Sequence, residues 1–106
     1  MAKRFEVWVV RFDPAVDSEI AKTRPAVIVS PDDANDVLQT VIVAPLTSTL
    51  KQWPTRVRVN VRKRTGEVAL DQLRTVDKSR LASKTATLSA TEAKDVAGRF
   101  VEMFRL

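Results

Sequence analysis

The stretch Lys22-Thr23-Arg24-Pro25 ends a polar segment and opens directly onto an apolar run, Ala26 to Val29. An arginine at such a junction must either reach back to water or meet an anion. Pro25 fixes the backbone direction there, and the strand it introduces stiffens Arg24. A rigid guanidinium holds a phosphate bidentately with little ordering entropy lost. A second group of this kind is the hydroxyl cluster Thr47, Ser48 and Thr49, where the apolar run "TVIVAPL", 40–46, surfaces. Ser and Thr at strand ends commonly serve as local caps, but their hydroxyls also donate to phosphate oxygens. If the strands holding Pro25 and Leu46 pair antiparallel, Arg24 begins one where Thr47 ends the other, and the two meet at one end. The polar run "LDQLRTVDKSRL", 70–81, reads either as a salt-bridged extended edge or as a recognition segment. Its Gln72 can address a base edge or hold another site residue.

Other chemistry is closed off by composition. The chain has no His, no Cys and no Tyr, which removes the usual near-neutral acid–base groups. Ser-His-Asp and Cys-His catalysis and Cys/His zinc sites are excluded with them. Asp32, Asp33 and Asp36 are the nearest approach to a Mg²⁺ cluster, but "PDDAND" is a plain turn sequence. No metal and no cofactor are expected. The net charge is +5, from 18 Lys and Arg against 13 Asp and Glu, and eleven of the cations are arginine. That balance points to a nucleic-acid partner.

The elements that position these residues follow from periodicity. Strands are expected at 6–12, 25–30, 40–46, 55–61 and 68–73, with a turn or single helical turn at 31–36. The run 40–46 is apolar on both faces and is expected to be central. In "TRVRVNV", 55–61, the valines face one way, and Arg56, Arg58 and Asn60 form a wet basic face. "RKRTGE", 62–67, with Gly66, reads as a hairpin turn. Ser89 and Glu92 match a capping box. Ala93, Val96, Ala97, Phe100, Val101 and Phe104 then form a helical stripe expected to be core. The chain thus reads as one domain, 1–106, mainly β with a C-terminal helix: a small, strongly curved antiparallel sheet or partly open barrel. No apolar run is long enough to span a membrane and no signal peptide is read at the start, so a cytoplasmic protein is expected.

Four blocks occur in an order and spacing that carry a resemblance: "EVWVVRFDPAVDSE" at 6–19, "KTRPAVIVS" at 22–30, "VIVAPLTS" at 41–48 and "LDQLRTVDKSRL" at 70–81. In these blocks the chain resembles the MazF/PemK family of toxins from bacterial toxin–antitoxin pairs. The resemblance implies an SH3-like antiparallel barrel of the MazF/CcdB/Kid type, a homodimer, and a metal-independent endoribonuclease acting on single-stranded RNA. It implies Arg24 and Thr47 as the catalytic pair. Ser18, Glu19 and Gln72 match the family's substrate contacts, and Lys22 and Ser48 lie beside the pair as further contacts. The partners it implies are RNA and a cognate acidic antitoxin, with DNA reached only indirectly through that antitoxin. Lys22, Arg24, Arg56 and Arg58 are the cations expected to serve RNA and antitoxin alike. The chain departs from the family where a glycine usually precedes the first strand, here Phe5, and where a glycine usually precedes the Ser-Glu pair, here Asp17. Two other readings share the basic surface or the fold. A non-catalytic nucleic-acid module would not need Arg24 and Thr47 together. A gyrase-poisoning toxin of the CcdB type carries a C-terminal Trp-Gly pair, whereas this chain ends "FVEMFRL".

Overall fold

The strand at 40–47 organises the molecule. In the computed structural model, which describes residues 2–12 and 23–106, this strand, β3 (Thr40–Thr47), touches three others. They are β2 (Thr23–Ile28) on one side and, on the other, first β6 (Arg74–Asp77) and then β5 (Arg64–Ala69). The pairing passes from Val43↔Arg74 to Leu46↔Val68. Pro45 falls in that gap, where its missing N–H leaves no ladder acceptor unmet. The sheet continues from β2 to β1 (Glu6–Arg11) and β7 (Leu81–Thr87), and from β5 to β4 (Arg56–Val61). All these pairs are antiparallel, and register shifts between β1 and β7 help curl the sheet. The result is the expected β half-barrel, with helix α1 (Asp32–Val37) in the connection between the adjacent strands β2 and β3 and helix α2 (Ala90–Phe104) closing one side.

Both faces of the central strands are covered, which is why they read as unbroken apolar runs. Val7, Val27, Ala44, Leu46, Val59, Val68 and Val96 belong to one buried cluster. Val10, Phe12, Ala26, Ile28, Val43 and Val76 belong to a second. Ser89 and Glu92 form the full capping box, the serine oxygen accepting from the Glu92 N–H and the Glu92 carboxylate from the Ser89 N–H. The other Glu92 oxygen accepts from the Asn60 N–H at 2.7 Å, pinning the helix start to β4.

The details differ from expectation at several points. The second strand begins at Thr23, so Pro25 lies within it. It is tolerated because the β3 ladder begins only at Ala26. The return strand stops at Ala69, and Leu70–Gln72 coil into a 3-10 turn. The hairpin turn is made by Arg62 and Lys63, whereas Gly66 sits inside β5. The helical stripe is core only in part. Val96 is buried, and Phe100 and Met103 pack beside it, but Val101 and Phe104 are exposed. The seam follows 96, 100 and 103, and the other two residues turn away from it. Phe5 adopts φ 70°, the left-handed backbone that explains why a glycine suits that place.

Candidate active site

The register of β2 and β3 runs through Ala26↔Pro45. Arg24 and Thr47 each lie two residues beyond that pair, at the same end of the two strands. Both line one cleft of about 630 Å³. Its floor is apolar, with Val7, Val9, Leu46, Val59 and Val61, and its polar lining is Arg24, Thr47, Ser48, Arg62, Arg64, Thr65 and Thr85. Among the described residues no carboxylate lines it. Arg24 is exposed, and no acidic side chain among the described residues pairs with it.

The Thr47 hydroxyl is oriented. Its oxygen accepts the backbone N–H of Thr49 at 3.1 Å. With one lone pair so engaged, the hydroxyl proton is left to donate away from the loop. The backbone beneath it is held closely as well. A Cβ on Gly66 would lie 2.8 Å from the Thr47 carbonyl oxygen, so β5 approaches β3 to a distance that only glycine permits.

The next residue along β5 is Glu67, paired in register with Thr47. It is buried and accepts the backbone N–H groups of Lys51 and Gln52 at 3.0 and 2.9 Å. These bonds tie down the loop that follows Thr47. Arg56 approaches the same carboxylate at 3.5 Å and grips Asp71 with its Nε at 2.7 Å and a second nitrogen at 3.4 Å. The Thr55 hydroxyl donates to Asp71 at 2.9 Å, and the Trp53 ring lies 4.7 Å from the Arg56 guanidinium. Burial alone would push the Glu67 carboxyl up. The two backbone N–H groups and the Arg56 charge outweigh burial and hold it below its ordinary value. Asp71 is likewise held low, burial being outweighed by its bonds to Arg56 and Thr55. The Arg56 pKa is raised, mainly by its bond to Asp71, against the opposing effect of burial.

This network corrects one expectation. Arg56 is not part of a wet basic face: it is buried and neutralised, because the 50–55 loop folds over it and two carboxylates enclose it. Arg58 is exposed but does not line the cleft. Among the predicted site residues, the structure brings Arg24, Thr47 and Ser48 together. Gln72 is half-buried in the 3-10 turn and does not line the cleft. Ser18, Glu19 and Lys22 lie outside the described residues. Several residues of the run 70–81 are engaged within the fold: Lys78 donates to the Asn35 carbonyl, Asp77 accepts from the Ser79 N–H, and Arg74 donates to the Phe12 carbonyl. Asp32 accepts from the Arg4 N–H and Asp33 from the Ala34 N–H. Arg62, Arg64, Thr65 and Thr85 were not legible as cleft residues. The clue lay in treating Arg62-Lys63 as the turn, which lays Arg64 and Thr65 along the returning strand.

Fold and cleft together define a class: an antiparallel half-barrel with an oriented hydroxyl and an exposed arginine over an apolar floor. The chain matches, over residues 3–104, the family of PemK-like, MazF-like toxins of type II toxin–antitoxin systems. It is 34% identical over 102 residues to an endoribonuclease MazF of Staphylococcus saprophyticus, covering 91% of this chain and 85% of that one. A crystal structure of MazF from Deinococcus radiodurans superposes with a TM-score of 0.83 at 26% identity, covering 98% of this chain and 96% of that one. A mycobacterial endoribonuclease solved with its cognate antitoxin shares the fold, with a TM-score of 0.85 at 20% identity over 100% of this chain and 97% of that one. The chain belongs to the PemK-like, MazF-like toxin family.

Proposed function

We propose that this chain is the ribonuclease toxin of a type II pair, cutting single-stranded RNA with Arg24 and Thr47 and needing no metal. The observation that carries this reading is that an exposed guanidinium, with no acidic partner among the described residues, lines the same cleft as a hydroxyl whose lone pair is already engaged. Such a site suits attack by an RNA 2′-hydroxyl on its own 3′-phosphate. The 2′-oxygen bonds to phosphorus and the 5′-oxygen leaves, giving a 2′,3′-cyclic phosphate and a 5′-hydroxyl. The charge that grows on the phosphorane oxygens is met by Arg24 and by the Thr47 O–H. The 2′-proton passes either to Glu19 or to a substrate phosphate oxygen, and the departing 5′-oxygen takes up a proton from solvent to become the 5′-hydroxyl. Ser18, Glu19, Lys22, Ser48 and Gln72 are proposed substrate contacts, Gln72 acting from outside the cleft.

In this reading the toxin is a homodimer, selective for a sequence in its RNA. A cognate acidic antitoxin folds along it and competes with RNA, and its association slows as salt rises. The test is incubation of the pure protein with mixed RNA in EDTA, followed by end-group analysis. Cyclic phosphate and 5′-hydroxyl ends are expected, with duplex RNA resistant. Cleavage abolished by EDTA and restored by Mg²⁺ would overturn the mechanism. Gyrase inhibition without RNA cleavage would replace it with the CcdB-type reading.

A further inference from the structure

The β4–β5 hairpin closes through Val61↔Arg64, leaving Arg62 and Lys63 as its two-residue turn. Their φ values are 52° and 66°. Two consecutive left-handed residues are the mark of a turn that Asn-Gly makes without strain and that long side chains make at a cost. Here both positions carry cations, and a third, Arg64, follows. The hairpin is not loose: Asn60, one residue before Val61, is fixed by the Glu92 carboxylate at 2.7 Å. Arg62 and Arg64 line the same cleft as Arg24 and Thr47. No ion pair among the described residues neutralises either of them. Arg56, on the same hairpin, is by contrast buried and paired with two carboxylates. A strained turn that places at a cleft wall two arginines with no acid partner among the described residues is an outlier that asks for a ligand.

We propose that the β4–β5 hairpin is a second phosphate-binding element, in which Arg62 and Arg64 hold a backbone phosphate of the single-stranded RNA next to the scissile one. The inference rests on reading the cleft as an RNA site. It favours RNA over an acidic peptide because the arginines share a lining with the Arg24–Thr47 pair and with the apolar floor on which a base can lie. The cleft then takes a chain of at least two phosphates, one placed for reaction and one as an anchor.

The experiment measures binding of a fully 2′-O-methylated single-stranded oligonucleotide of mixed sequence, which lacks the nucleophile, as a function of salt. Loss of one phosphate contact should reduce the slope of log K against log salt by about 0.7. Three variants separate strain from contact. Lys63→Gly relaxes the turn but keeps both arginines; it should melt higher than wild type and keep the wild-type slope. Arg62→Asn combined with Lys63→Gly should melt higher still and bind more weakly, with part of the slope lost. Adding Arg64→Gln should remove the full increment. Folded variants that keep wild-type affinity and slope would overturn the proposal. So would a loss confined to the cognate antitoxin with RNA binding intact. If Arg24→Ala and Thr47→Ala abolish cleavage while the hairpin variants bind normally, only this inference fails. If the wild-type protein neither binds nor cuts RNA, the reading of the cleft fails with it.

Discussion

Arg24 and Arg56 stand at the two ends of one piece of architecture and do opposite things. Arg24 is exposed at the mouth of β2, in a cleft that no carboxylate lines among the described residues. Arg56 opens β4, buried between Glu67 and Asp71 under the Trp53 ring. The link between them is short, since Thr47 pairs with Glu67 across β3 and β5. One carboxylate therefore sits on the far side of the strand that carries the proposed catalytic hydroxyl. It fastens the following loop and is itself satisfied by Arg56. The difference teaches that an arginine's role is set by what folds over it. The same side chain is a scaffold where acids enclose it and, in the proposed function, a reagent where no acid among the described residues meets it.

The largest expected effect lies on the scaffold side. Arg56→Ala leaves Glu67 and Asp71 without their cation, and breaking a buried pair this way costs about 3–5 kcal/mol. Denaturant unfolding should show that loss. Acid unfolding sharpens it. Carboxyls held low in the folded state contribute stability above their ordinary values, 4.5 for Glu67 and 3.8 for Asp71. That contribution fades as pH falls through the lowered folded values. Wild-type protein should therefore lose stability along an acid limb, and the limb should shrink in Arg56→Ala. An unchanged limb would mean that Arg56 is not what holds these carboxyls low.

On the reactive side the signature reverses. Arg24→Ala and Thr47→Ala should each raise the cleavage barrier by about 2–4 kcal/mol, the usual loss for one transition-state donor. Melting temperatures should barely move for Arg24→Ala. Thr47→Ala also loses its bond from Thr49, a change of about 1 kcal/mol. Thr47→Ser keeps the hydroxyl and should retain most activity. A folded Arg24→Ala protein with wild-type turnover would erase the contrast between the two arginines.

How much of this could be read in the residues also divides along that contrast. Arg24 and Thr47 were legible because each sits at a junction of polar and apolar text, and antiparallel pairing does the rest. The capping box at Ser89 was legible for the same reason, being local. Arg56 was not. Its alternation with Val57 and Val59 is that of any half-exposed strand, and its burial depends on Glu67, Asp71 and a loop that share no local pattern with it. The hairpin turn was misplaced because Gly66 looks like a turn residue. Its actual constraint is tertiary, a backbone carbonyl 2.8 Å from where a Cβ would stand.

That contact supplies the next test, at the joint between the regions. Gly66→Ala should push β5 away from Thr47, at the cost of about 1–3 kcal/mol typical of overpacking. It should also lower kcat by displacing the hydroxyl. In a Thr47→Ala background the kinetic part should vanish, since there is no hydroxyl left to misplace. Additive kinetic losses would show that Gly66 acts on the fold alone.

The smallest expected effect concerns Arg58, two residues along β4 from Arg56 and across from Glu67 in register. By spacing it belongs to the same face as Arg56, and the two read identically in the sequence. In the fold it is exposed, outside the cleft lining, and absent from the ion pairs among the described residues. Arg58→Ala should therefore change stability by no more than about 0.5 kcal/mol, as surface substitutions away from special features do. Its charge still adds to the field that draws RNA in, so association should slow slightly at low salt and not at high salt. Stopped-flow association of labelled RNA at two ionic strengths would separate these cases. A slope of log K against log salt reduced by about 0.7, the loss expected for one phosphate contact, would place Arg58 in direct contact with substrate. The division between an enclosed arginine and a reactive one would then need a third kind, exposed on the scaffold strand yet engaged by RNA.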